Sequence, residues 1–183
     1  MAMQIRQRIV VRRPRSVRAA GMAASRRAPA PEAVSSRIMT AFGRAPEAGA
    51  PADVIRSMIR VIVSGGGDVR QPAKGAVLGL LRGTEVTGGA TLEAIRYAAE
   101  SVIRTTAEAA GDIAKAARGI VEGSIQGARE LDLDVCEAAS TAAHAALKAA
   151  RELGSEAGLR VLHALTGDIA GVQLVQNGSY ETN

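Results

Sequence analysis

A handful of residues have types that do chemistry. Cys136 is the only cysteine, and a nucleophilic thiol needs a base beside it. Its neighbours are Val135 and Glu137, it falls on an apolar stripe, and no histidine stands at helical reach, which makes it a packing thiol. His144 and His163 are 19 residues apart with no ligand cluster near either. A zinc-type centre takes three or four converging ligands, so both read as surface or interface histidines. Asp132 and Asp134 stand two apart, and on a helix they point in different directions, against a paired acid and base. Ser64-Gly65-Gly66-Gly67 resembles an anion-holding loop on paper. No GK[ST] follows it and no dinucleotide-binding spacing occurs, so it is read as a helix stop. These residues assemble no reaction, and the expectation is a protein that is not an enzyme and uses no cofactor.

What must position them is a chain of unusual composition. Of 183 residues 47% are hydrophobic and 22% charged, yet there are two Tyr, one Phe and no Trp, while alanine supplies 37. Such a chain packs an ordinary monomeric core with difficulty, since aromatic side chains bring most of the buried area per residue. One cysteine excludes a disulfide scaffold, and no apolar run approaches the roughly 18 residues of a spanning helix.

All six prolines lie in the first 72 residues, and proline interrupts helices. Four segments follow: a basic tail over 1–31, a Pro/Gly linker over 32–72, a helical repeat region over 73–171 and a C-terminal tail over 172–183. The linker holds one short helix around Val34–Phe42 and another over 54–63, capped by Asp53 and ended by the glycine run. In the last tail Asn177-Gly178 is a hairpin-turn signal.

Within the repeat region, a shift of 44 residues aligns AKGAVLGLLRG from Ala73 with ARGIVEGSIQG from Ala117, and Gly67-Asp68-Val69 with Gly111-Asp112-Ile113. Forty-four is four elevens, and an eleven-residue period is close to an undistorted α-helix. Val77, Leu81, Leu92, Ile95, Ile103, Val121, Ile125 and Leu147 keep one apolar station along it. The expected fold is all-α: long helices with eleven-residue periodicity, either one rod or a bundle broken at Gly88-Gly89 and Leu131–Asp134, preceded by a disordered basic tail.

A second face is made of glycine. Gly75, Gly79 and Gly83 recur one repeat later as Gly119, Gly123 and Gly127. Each glycine costs a helix about 1 kcal/mol, so six at matched spacing need a compensating contact. Fourfold spacing forms a groove that admits another backbone, opposite the Val/Leu/Ile face. The pattern predicts tight helix–helix association in a homo-oligomeric coiled coil or bundle.

Charge is concentrated at one end. Residues 1–31 carry eight Arg and no acid, leaving 15 basic and 18 acidic residues beyond them. Arg6, Arg8, Arg12, Arg13, Arg15 and Arg18 can bind phosphate or anionic lipid, act within a targeting segment, or belong to a disordered tail that solubilises its owner or docks on an acidic partner. The alternating MQIRQRIVVRR can also form a strand against a partner. Aromatic interleaving is missing, which disfavours nucleic-acid binding.

On its 11/44-residue period, the stretch 67–171 resembles the hendecad-repeat helical proteins of the phasin, apolipoprotein and late-embryogenesis kinds. That resemblance implies surface coating or scaffolding. Paired glycine grooves and missing aromatic anchors shift the expectation toward an oligomeric scaffold or stalk, cytoplasmic or peripheral at a membrane. Its apolar face would line a lumen or rest on a membrane, anchoring a larger complex or holding a lipid-like molecule such as a quinone. The alternative is an amphipathic coat on membranes or storage granules.

Overall fold

The computed structural model describes residues 6–12, 51–83 and 88–179. Among them are six helices: α1 Pro51–Ser64, α2 Arg70–Gly83, α3 Gly88–Glu108, α4 Ile113–Glu130, α5 Val135–Leu153 and α6 Ser155–Leu165. Three strands complete the set, β1 Arg6–Arg12, β2 Gly167–Ile169 and β3 Val172–Ser179. The protein is mostly helical.

The rod is replaced by hairpins, because three short turns reverse the chain in the same way. After α1, the Gly67 N–H donates to the Ile62 carbonyl (2.9 Å). After α3, Gly111 donates to Thr106 (2.8 Å), and after α4, Leu133 donates to Ala128 (2.8 Å). Each is the six-to-one bond of a Schellman helix end. It requires a left-handed residue one position earlier, and Gly66 (φ 68°), Ala110 (φ 58°) and Asp132 (φ 55°) supply it. An aspartate then caps the next helix each time. Asp68 Oδ1 accepts from the Arg70 N–H, Asp112 Oδ1 from Ala114 and Lys115, and Asp134 Oδ1 from Cys136 and Glu137. The first two turns lie 44 residues apart and share their Schellman backbone bonds and a following aspartate cap. Break points expected at Gly88 and at Leu131–Asp134 coincide with the start of α3 and the α4–α5 turn. The turn at Ala109–Asp112 was not anticipated, since alanine is a poor left-handed residue.

These hairpins stack in two layers. In one layer α1 packs on α3 and α3 on α5; in the other α2 packs on α4 and α4 on α6. Each helix therefore has neighbours on more than one side, which is why the repeat region shows both an apolar face and a small-residue face. The core runs between the layers. Ala98, Ala99, Ala116, Ala117, Ala142 and Ala143 are wholly buried beside Ile95, Ile103, Ile120 and Ile125. Alanine cores gain little transfer energy per residue, so they depend on close backbone approach and the dispersion contacts it creates.

Two further expectations are corrected. The basic tail is not disordered throughout, because Arg6–Arg12 forms β1 and pairs antiparallel with β3 from Arg6↔Ser179 to Arg12↔Gln173. The strand's partner lies in the same chain. Asn177 and Gly178 make no turn; they sit inside β3 opposite Arg8 and Gln7. The hairpin turn is Ala170-Gly171, both with positive φ (52° and 83°), joining β2 to β3. Two residues with positive φ match the right-handed twist of the flanking strands. Residues 167–171, placed in the helical region, and 172–179, placed in a tail, thus belong to a sheet of order β1-β3-β2. It packs against α5 through β1 and against α4 through β2.

Candidate interaction surface

The conspicuous polar feature is a set of ion pairs that tie α1 to α3, α3 to α5 and α2 to α4. In the α1–α3–α5 layer, Arg60 Nη2 donates to Glu108 Oε2 (3.4 Å) and Arg104 Nη2 to Glu152 Oε2 (2.7 Å). The second pair is the first displaced by 44 residues at both ends. Lys148 Nζ adds a bond to Glu100 (3.4 Å). In the other layer Arg70 reaches Glu122 through Nε (3.0 and 3.2 Å) and through Nη2. Arg82 grips Glu130 with two bonds of 2.8 Å.

The layers differ in electrostatics. The hydrogen bond to Glu122 raises the Arg70 guanidinium above its ordinary value, against the opposing effect of burial. The hydrogen bond from Arg82 holds the Glu130 carboxyl below its ordinary value. Arginine paired edge-on with a carboxylate supplies geometry as well as charge, so these contacts set the register of α2 on α4. The pairs of the α1–α3–α5 layer are more open to water, with Arg60, Arg104 and Lys148 side chains 55–65% exposed. Such pairs contribute about 0–1 kcal/mol each.

On the outside of α3 and α5 this layer forms a shallow depression of ≈ 370 Å³, lined by Arg96, Glu100, Ser140, Thr141, His144 and Lys148. A second, ≈ 490 Å³, continues along α5 past Leu147, Arg151 and Glu152. Their charged side chains are largely engaged: Arg96 with Glu93 (3.3 Å), Lys148 with Glu100. His144 Nδ1 lies 2.8 Å from the Ser140 carbonyl oxygen, a contact that requires the proton on Nδ1. The histidine is thus held on its own helix. Tyr97 is half-exposed on the same side of α3.

The residues singled out by sequence are distributed differently. Val77, Leu81, Ile95, Ile103, Val121, Ile125 and Leu147 are buried, and Leu92 packs against them partly buried. The apolar stripe is consumed within one chain and presents no face outward. Gly119, Gly123 and Gly127 line the side of α4 that receives α2. A methyl group at Gly123 would lie 2.7 Å from the Lys74 carbonyl oxygen and 3.1 Å from Val77 Cβ. At Gly119 it would strike the Arg70 carbonyl oxygen, and at Gly127 the Leu81 side chain. Gly75 and Gly79 are buried in α2, and Gly83 closes that helix. Arg6, Arg8 and Arg12 lie in β1; Arg13, Arg15 and Arg18, and the helix expected at Val34–Phe42, fall outside the described residues.

Cys136 is half-buried in the first turn of α5. Asp132 supplies a turn and Asp134 a cap, and His163 is exposed near the end of α6. Among the described residues, no three His, Cys, Asp or Glu side chains gather as a metal site would need. No helix among them is long and apolar enough to cross a membrane. Sequence reasoning misses the ion-pair ladder, although its signal is present: the 44-residue shift carries Arg60 onto Arg104 and Glu108 onto Glu152. No protein-family model matches this chain, and no curated protein is significantly similar to it.

Proposed function

We propose that this chain is a non-catalytic helical-repeat scaffold that holds partner proteins on the outer surface of stacked hairpins. The observation that carries the reading is the pair of ion pairs Arg60–Glu108 and Arg104–Glu152, one repeat apart. They mark successive hairpins as equivalent units laid side by side, and proteins built so present long, regular surfaces for recognition. The polar residues support it as well. Aspartates 68, 112 and 134 cap helices, glutamates 100, 108, 122, 130 and 152 are bonded to cations on neighbouring helices, and His144 is bonded within its own turn.

In this reading the glycine groove of α4 serves intrachain packing, and the scaffold needs no apolar lumen. A surface coat would require the core to open onto lipid. Circular dichroism and light scattering in lipid-free buffer separate the two. The scaffold gives a highly helical particle of defined mass that melts cooperatively. A largely unfolded chain that gains helix only with anionic vesicles overturns the proposal in favour of the coat.

A further inference from the structure

The sheet has one long edge with nothing paired to it among the described residues. In the order β1-β3-β2, strand β1 is outermost, and its seven residues are all registered on β3. An antiparallel strand directs alternate backbone N–H and C=O groups to each side. One side of β1 is therefore satisfied by β3, and the other offers a ladder for a further strand. The opposite edge is different: β2 has three residues, and its end is fastened down. Arg118 donates to the Asp168 carbonyl oxygen (3.4 Å) and Arg129 to that of Ala170 (2.8 Å).

We infer that the free edge of β1 takes an acidic, extended segment of a partner protein as a fourth strand. The inference rests on the scaffold reading and names the chemistry of its partner. Charge chooses the occupant. Strand β1 has arginine at positions 6, 8 and 12 and no acid, within a stretch of 31 residues that has eight arginines and no acid. A second copy of β1 in this place would set arginines against arginines, which is unfavourable for directly opposed strand residues. A segment with Glu or Asp at alternate positions reverses the sign of each such pair. The backbone ladder supplies affinity and the alternating charges supply selectivity, as in strand addition generally. Nucleic acid or an anionic membrane would feel the same arginines but has no ladder to offer. Strand β1 lies against α5, and Val172 and Leu174 of the adjoining β3 are buried in the core.

The test uses the full chain and a labelled, end-blocked heptapeptide of alternating Glu and Val, followed by fluorescence anisotropy at physiological salt. Two controls accompany it: the same peptide with Lys for Glu, and the Glu peptide methylated on every backbone nitrogen, which keeps its charge and removes its ladder. The expected result is at least tenfold tighter binding of the Glu peptide than of either control, with amide exchange slowed in residues 6–12. The combined Arg6→Glu, Arg8→Glu, Arg12→Glu variant should then prefer the Lys peptide while retaining the parent's helical circular dichroism. Equal binding of the methylated peptide would reduce the effect to charge and overturn the proposal. So would failure of the Glu peptide alongside binding of duplex DNA or phosphatidylserine vesicles. A folded protein that binds no peptide defeats this inference alone; a chain unfolded without lipid defeats the scaffold reading first.

Discussion

The contacts of α2 with α4 and of α3 with α5 both join one hairpin to the next, yet they are built from opposite materials. Between α2 and α4 the glycines of α4 remove the side chains, so a backbone carbonyl of α2 fills the space a methyl group would need. Two bidentate arginine–carboxylate contacts bracket that approach. The packed helices α3 and α5 bury alanines instead, Ala98 and Ala99 on one and Ala138, Ala139, Ala142 and Ala143 on the other, together with Ile95, Val102, Ile103 and Leu147. Only single, solvent-exposed bonds flank it. The lesson is one of tolerance. A glycine contact admits no added atom, whereas an alanine contact can lose a methyl group at a modest cost and is aligned mainly by shape.

Substitution at Gly119 should test this most severely. Gly119→Val would drive its Cβ into the Arg70 carbonyl and against Ala73, and we expect a loss of about 3 kcal/mol or more, read by urea denaturation. A loss below about 1 kcal/mol would show that α2 can move aside and would erase the contrast. Ala142→Gly in α5 should cost about 1 kcal/mol, chiefly through helix propensity. A larger loss than at Gly119 would reverse the comparison. Two changes at the first hairpin's repeat should stabilise. Thr106 is fully buried and its hydroxyl has no hydrogen-bond partner, so Thr106→Val should gain up to about 1 kcal/mol. Ala110→Gly removes a left-handed alanine and should gain about 0.5–1 kcal/mol in the same assay. A loss at either position would mean the site is not as strained or as dry as its geometry implies.

The smallest effect is electrostatic. Because the folded-state carboxyl of Glu130 lies below its ordinary value, its pairing stabilises the fold above the unfolded value and is lost as pH falls through the folded one. Thermal midpoints of the parent should therefore drop on acidification more than those of Arg82→Gln, which lacks the main cause of the shift. Equal acid sensitivity would mean that the Arg82–Glu130 pair adds no pH-dependent stability.

Much of the helical architecture is legible in the residues. Asp53 and the glycine run bound α1 to within a few positions of Pro51–Ser64, and Pro72 misleads only because the first turn of a helix accommodates it. The aspartate after each turn is a readable cap. The rod failed as an expectation at Ala110: nothing in its type announces a left-handed residue, so an apolar station runs unbroken through a chain reversal. The sequence pattern sets a glycine face opposite an apolar face. That both faces would be covered by helices of the same chain depends on turns that periodicity does not encode. Strand β1 was visible as alternation, but its pairing joins residues more than 160 positions apart in sequence, and no local signal specifies so distant a partner. The ion-pair ladder follows from the 44-residue shift only once each hairpin is known to lie beside the next.

The same pairing has a mechanical consequence. Since β1 and β3 are antiparallel with Arg6 opposite Ser179, tension applied through the segments preceding β1 and following β3 enters both strands at one end of the ladder. Backbone bonds would then open one after another, as in a zipper, and not shear together. The sheet would yield at low force and lengthen the molecule while the stacked hairpins stayed intact, making it a weak link placed ahead of a stronger one.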